Sequence, residues 1–170
     1  MLEDGSVYEG TARGDFKETA CEIVFNTSMT GYVEILTDPS YAGQGVVMTY
    51  PMIGNYGISR EDFESERLQP SAFIVHELSS DPSNFRCTDT IENLLKEYNI
   101  PCISGVDTRA VVKKLRESGT MRGVLTSDIG DRERLMDVIK SFRQIDLVGS
   151  VTAKQTKVYG EENTGAEIAL

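Results

Sequence analysis

The sequence predicts an α/β domain of three layers, β/β/α: a short parallel sheet with helices on one face and antiparallel strands on the other. Three observations lead there. Up to about Tyr50 the chain reads as short strands separated by Gly, Pro and Asp-Gly turns. From Ala72 onward, apolar strand-like runs alternate with helical periodicity, which is the signature of parallel strands with crossover helices. A length of 170 residues suits one domain that buries roughly 70% of its unfolded surface.

Glu3-Asp4-Gly5-Ser6 is a hairpin-type turn, since Asp-Gly tolerates positive φ. Ser6–Gly10 alternates polar and apolar residues, as a half-exposed strand does. Gly14-Asp15 marks another turn. Cys21–Phe25 reads as a strand, Tyr32–Leu36 as a second and Gly45–Tyr50 as a third, with breaks at Pro39, Gly43 and Pro51. Strands joined by turns argue for antiparallel pairing in this first third. Pro51–Gly57 is a glycine-rich loop without the Gly-Lys-Ser/Thr ending of a phosphate-binding loop. Residues 59 to 69 form a charged connection.

Ala72–Val75 is a continuous apolar run, as in a buried strand. Asp89-Thr-Ile-Glu92 has capping-box spacing, with Asp89 as N-cap. Ile91, Leu94, Leu95 and Tyr98 follow on one helical face. Pro101–Gly105 is a short strand. Asp107 caps a helix over 108–117 with Val111, Val112 and Leu115 inward and Gly119 as its stop. Gly123–Thr126 is a strand, and Asp131 caps a last helix carrying Leu135, Val138, Ile139 and Phe142 inward. Ser150–Lys157 reads as an edge strand, and the stretch after Gly160 has linker composition. The expected organisation is therefore a domain over 1–150 and an edge strand and linker over 151–170.

Composition narrows the function. A hydrophobic fraction of 39% and a charged fraction of 26% are those of a soluble globular protein. A net charge of −10 argues against nucleic-acid phosphate and anionic membrane as partners. No apolar run approaches the roughly 20 residues of a membrane span, and the N-terminus lacks the pattern of a signal peptide. Cys21, Cys87 and Cys102 are too few and too scattered for a disulfide framework or a zinc motif, and fit reduced thiols in the cytoplasm. A catalytic pair on the single histidine, His76, would need a cysteine brought beside it, and the three cysteines read as structural.

Other constellations read as structure. Glu61, Asp62, Glu64 and Glu66, interspersed with Arg60 and Arg67, read as a solvated loop. Asp107-Thr-Arg109 reads as an N-cap and a first-turn Arg rather than an active-site pair. Thr37-Asp-Pro-Ser-Tyr41 is a tight turn that projects Ser40, and it serves structure or recognition equally well.

Phe25-Asn-Thr-Ser-Met-Thr-Gly-Tyr32 followed by Glu34-Ile-Leu-Thr-Asp-Pro-Ser-Tyr41 closely resembles the N-terminal domain of the glutamine-hydrolysing, small-chain family of carbamoyl-phosphate synthases. Thr49-Tyr-Pro51 with Ile53-Gly-Asn-Tyr-Gly57 is similar to the family's next block, and Gly105-Val-Asp-Thr-Arg109 with Leu115-Arg-Glu-x-Gly119 to a third. All stand in the family's order, across residues 2 to 150.

The resemblance implies a swivelling-type β/β/α domain followed by a class I glutamine amidotransferase domain with Cys–His–Glu machinery. That machinery makes ammonia from glutamine for a large chain, which joins it to bicarbonate using ATP. The product is carbamoyl phosphate for pyrimidine and arginine biosynthesis. This stretch matches none of the amidotransferase machinery, so no catalytic residue, metal or cofactor is assigned to it. The implied partners are the large chain, the chain's own amidotransferase domain and glutamine. Ser40 matches a position that contacts glutamine across the domain interface. Asn26, Thr27, Ser28, Thr30, Gly31, Tyr32 and Asp38 either shape that loop or face the large chain. Two alternative readings are a self-sufficient Cys/His76 hydrolase and a free-standing interaction module.

Overall fold

Runs of β-branched and aromatic residues become the strands of one mixed sheet. The computed structural model describes residues 1–14, 16–143 and 146–156. In chain order the elements are β1 (Thr11–Arg13), β2 (Thr19–Asn26), α1 (Tyr32–Thr37), β3 (Gln44–Met48), β4 (Met52–Ile53), β5 (Ala72–Ile74), β6 (Glu77–Leu78), α2 (Ile91–Glu97), β7 (Cys102–Ser104), α3 (Thr108–Ser118), β8 (Met121–Leu125), α4 (Arg132–Ser141) and α5 (Leu147–Val151). The main sheet has strand order β1-β7-β5-β3-β2-β8, and β4 and β6 form a separate parallel pair.

The α/β class and a three-layer build are as expected, but helices cover both faces of the one mixed sheet, α1 and α2 on one and α3 on the other, where helices were expected on one face and antiparallel strands on the other. Side chains alternate across the sheet, as the pleat requires. Val46, Met48, Phe73, Val75 and Cys102 pack under α1 and α2. Val47, Ala72, Ile74, Cys21 and Ile23 pack against α3 through Val111, Val112 and Leu115. Leu135 and Ile139 of α4 close over Val124 and Ala20 at the β8 edge.

The antiparallel reading of the first third gives way to parallel pairing. β2 pairs with β3 in parallel, in register Ile23↔Gly45 and Phe25↔Val47, and β3 pairs with β5 in parallel. Antiparallel pairing joins β1 to β7 and β2 to β8. The cause is one segment: Tyr32–Leu36, expected as a strand, is α1. A helix there makes β2-α1-β3 a crossover unit, and a crossover is what parallel neighbours need. Tyr32, Val33, Ile35, Leu36 and Thr37 are all buried. With only Glu34 partly exposed, the segment shows no clear amphipathic period, and six residues are too few for length to separate it from a strand.

Other boundaries shift for local reasons. Ser6–Gly10 is not a strand; pairing begins at Thr11, after Gly10 passes so close to Ser104 that a Cβ would sit 2.5 Å from its carbonyl oxygen. α2 is capped by Thr90, whose hydroxyl accepts from the Asn93 amide at 3.2 Å. Asp89, expected as that cap, instead accepts from the Thr90 amide and from the Asn93 side chain. Asp107 and Asp131 cap α3 and α4 as expected. β8 lies at the far edge beside β2 rather than next to β7, so the strand–helix alternation after Ala72 extends the parallel sheet only as far as β7.

The 59–69 connection is solvated but paired. Arg86 reaches Glu61 and Asp62, and Arg60 reaches Glu97. Residues 150–156, expected in an edge strand, form the end of α5 and an irregular segment. Asp15, Lys157 and the linker stretch fall outside the described residues.

Candidate functional site

The carboxyl end of β2 opens the site. Asn26 ends the strand, and both ends of its amide are occupied: Nδ2 donates to the Tyr41 hydroxyl at 2.9 Å and Oδ1 accepts from the Ser28 amide at 2.7 Å. The second bond is an Asx turn, which a short amide side chain makes with its own backbone two residues on. It turns Thr27, Ser28, Met29 and Thr30 out to solvent, with Met29 68% exposed. Gly31 then takes φ +81, a left-handed backbone that glycine adopts without a Cβ clash, and α1 begins.

Gly31 has no side chain to cap that helix, so the free amides at its start need another acceptor. Tyr56 supplies it from the Ile53–Gly57 loop. Its hydroxyl accepts from the amides of Gly31 at 2.6 Å and Tyr32 at 3.2 Å. The Tyr32 hydroxyl accepts from the Tyr56 amide at 3.1 Å and donates to the buried Gly57 carbonyl at 2.9 Å. The two rings stack, with centroids 4.1 Å apart and planes 19° from parallel. Burial is the main cause pushing both phenols above the usual tyrosine range, so each stays a neutral hydroxyl able to donate and accept.

The other end of α1 is anchored as firmly. Thr37 is buried; its hydroxyl donates to the Val33 carbonyl and accepts from the Glu64 amide, while its carbonyl accepts from the Ser65 hydroxyl at 2.5 Å. Asp38 follows and caps a one-turn 3₁₀ helix, Pro39–Tyr41, by accepting from the Ser40 amide at 2.8 Å. Pro39 pre-sets the first position of that turn. Ser40 is exposed, and its hydroxyl has no hydrogen bond among the described residues. The turn is thus held by Asp38 on one side and by Asn26 through Tyr41 on the other, and it presents one free hydroxyl.

The structure therefore separates motif residues that the sequence left together. Asn26, Gly31, Tyr32 and Asp38 are spent on internal bonds or on backbone geometry. Thr27, Ser28, Met29, Thr30 and Ser40 face outward. From Ile23 through Val33 and from Pro39 through Ser59 there is no charged residue, in a chain of net charge −10. Exposed positions free of charge are characteristic of the buried centre of protein–protein interfaces. Thr49, at the end of β3, donates its amide to the Asn26 carbonyl at 3.0 Å, and its buried hydroxyl has no partner among the described residues. Tyr56 is the residue of the site that sequence reasoning passed over: it stood in a quoted block, but nothing in the sequence couples it to Gly31.

The groups considered for hydrolysis lie elsewhere. Cys21 packs on the α3 side of the sheet and Cys102 on the opposite side. Burial pushes both thiols up to about 12, the reverse of what a nucleophilic thiolate needs. Cys87 is half-buried, with its thiol 3.3 Å from the Asp89 carbonyl. His76 is exposed, with Nδ1 3.0 Å from the Val106 carbonyl. An apolar cleft of about 300 Å³ opens on the α3 side between Val7, Tyr8, Ile74, Ile103 and Val106, away from Ser40. Among the described residues no cluster of His, Cys, Asp and Glu could hold a metal ion, and no helix is long and apolar enough to cross a membrane.

Comparison with known proteins agrees with the motif blocks. The family model for the carbamoyl-phosphate synthase small chain, CPSase domain, matches residues 1–125. The carbamoyl phosphate synthase small chain of Archaeoglobus fulgidus is 48% identical over 99% of this chain and 48% of its own length. That of Clostridium perfringens is 46% identical over the whole of this chain and 48% of its own. That of Fusobacterium nucleatum is 54% identical over 91% of this chain and 43% of its own. The chain spans about half the length of these curated relatives.

Proposed function

The chain belongs to the carbamoyl-phosphate synthase small-chain family, and from that membership we propose that it is the non-catalytic N-terminal part of a glutamine-dependent synthase subunit. In this reading residues 1–150 are the folded domain and 151–170 lead toward an amidotransferase domain. That second domain hydrolyses glutamine, and a large partner chain joins the ammonia to bicarbonate at the expense of ATP. The product feeds pyrimidine and arginine biosynthesis in the cytoplasm. The domain's work is docking, with one direct contact to substrate: the Ser40 hydroxyl hydrogen-bonds bound glutamine.

The observation that carries this reading is the state of Ser40. Every other polar group of its turn named above is bonded inward, by Asp38 and by Asn26 through Tyr41. A hydroxyl left free on a turn whose Asp38 carboxylate and Tyr41 hydroxyl are bonded internally suits a polar ligand brought to it from outside. The buried thiols of Cys21 and Cys102, pushed up to about 12 and so kept protonated, weigh against a self-sufficient hydrolase.

The test is Ser40→Trp in the full-length chain assembled with its large chain. The KM for glutamine is expected to rise while free ammonia still supports synthesis; unchanged glutamine kinetics reject the Ser40 contact. A glutaminase assay on residues 1–170 is expected to show no turnover, and turnover abolished by replacing His76 would sink the non-catalytic reading.

A further inference from the structure

We propose that Tyr56 is a positioning residue for Ser40: by capping α1 from a distant loop, its hydroxyl holds the serine turn in the geometry that receives glutamine. The inference rests on the glutamine contact proposed above and names the residue that sets it.

α1 has six residues and so spans about 9 Å. A helix that short has no stability of its own, because nucleation consumes what its few internal bonds return. Its position is set by what holds its ends. At the carboxyl end stand the Thr37 bonds and, one residue on, the Asp38 cap on Ser40. At the amino end the Gly31 and Tyr32 amides have the Tyr56 hydroxyl as their acceptor. Gly31 contributes no cap and enters the helix in the left-handed backbone that glycine adopts without a Cβ clash. Four of the six side chains between these ends are buried core residues, Tyr32, Val33, Ile35 and Leu36. A displacement at Gly31 is therefore carried along a packed rod to Asp38 and Ser40 instead of being absorbed. Removing only the Tyr56 hydroxyl keeps the ring stacked on Tyr32 but strips both amides of their acceptor.

The experiment uses the full-length chain assembled with its large chain, in four forms: unaltered, Tyr56→Phe, Ser40→Ala and the double variant. Tyr56→Phe is expected to raise the KM for glutamine about three- to ten-fold, the size of one lost cap, with kcat within about two-fold. In the Ser40→Ala background the same change is expected to leave KM where Ser40→Ala alone put it, since positioning a missing hydroxyl has no value. A general structural role would instead raise KM equally in both backgrounds, and that result overturns the inference. So does an unchanged KM in Tyr56→Phe when Ser40→Ala does raise it; the glutamine contact then stands without the positioning. If Ser40→Ala leaves KM unchanged, the glutamine contact itself fails and the inference falls with it. Should Tyr56→Phe not fold, the unaltered protein gives the answer by reciprocity: bound glutamine is expected to slow hydrogen exchange at the Gly31 and Tyr32 amides, and exchange unaffected by glutamine overturns the inference.

Discussion

Tyr32 and Tyr56 each bond the other's backbone. The Tyr56 hydroxyl accepts from the Tyr32 amide at 3.2 Å, and the Tyr32 hydroxyl accepts from the Tyr56 amide at 3.1 Å, beneath rings stacked at 4.1 Å. The exchange ties the loop after β2 to the loop after β4 without any charge.

Stability of this chain is expected to register both hydroxyls. Tyr56→Phe removes the acceptor at the start of α1 and is expected to cost about 1–2 kcal/mol in urea unfolding. Tyr32→Phe leaves the buried Gly57 carbonyl without its donor and is expected to cost about 1–3 kcal/mol. A change below about 0.3 kcal/mol in both would contradict the clamp.

The serine turn separates stability from function. Asp38→Ala removes the cap on the Ser40 amide and is expected to cost about 0.5–2 kcal/mol. Ser40→Ala, at an exposed hydroxyl without an internal bond, is expected to stay within about 0.5 kcal/mol of the parent. Equal losses from the two, in denaturant or thermal melts, would mean that Ser40 is structural.

Thiol reactivity is expected to follow burial. Cys21 and Cys102, with pKa values pushed up to about 12, are expected to resist iodoacetamide at pH 8 in the folded chain. Cys87, half-buried on a loop, is the one expected to label. Mass spectrometry of labelled peptides before and after denaturation checks this; early labelling of Cys21 would refute it.

Acid is expected to weaken one tertiary tie. The hydrogen bond from Arg134 is the largest cause lowering the Glu18 pKa from 4.5 to about 2, and Thr126 adds to it. A carboxylate whose folded pKa is depressed contributes stability that is present above the unfolded value and lost as pH falls through the folded one. The pair joins the start of β2 to α4 at the surface, so its contribution is small and screened by salt. Glu18→Gln is expected to flatten the slope of stability against pH between about 4.5 and 2. An identical slope in the two proteins would show that the pair contributes nothing.

Much of the fold and of the site was legible because it is local. Asp107 and Asp131 announce α3 and α4 by residue type and spacing, and the caps form there. Cys21–Phe25, Gly45–Tyr50 and Ala72–Val75 read as strands, and strands form there over Thr19–Asn26, Gln44–Met48 and Ala72–Ile74. Asp38-Pro39-Ser40 reads as a turn with a projecting hydroxyl, and that is its conformation. Two failures share one origin. α1 is buried except at Glu34 and only six residues long, so it carries no clear period and passed for a strand, which inverted the predicted pairing of β2 with β3.

The sequence by itself determined the α/β class, the α3 and α4 caps, the motif blocks that mark the family, and Ser40 as the exposed hydroxyl. Only the tertiary structure decided that Tyr32–Thr37 is a crossover helix, that β2 and β3 run parallel, and that Tyr56 rather than a neighbouring side chain caps that helix. The physical reason is range. Capping side chains, turns and apolar periods act over a few residues and are written in order along the chain. A helix enclosed by its surroundings, and a hydroxyl that accepts from amides twenty-four and twenty-five residues away, exist only once the sheet has brought the two loops together.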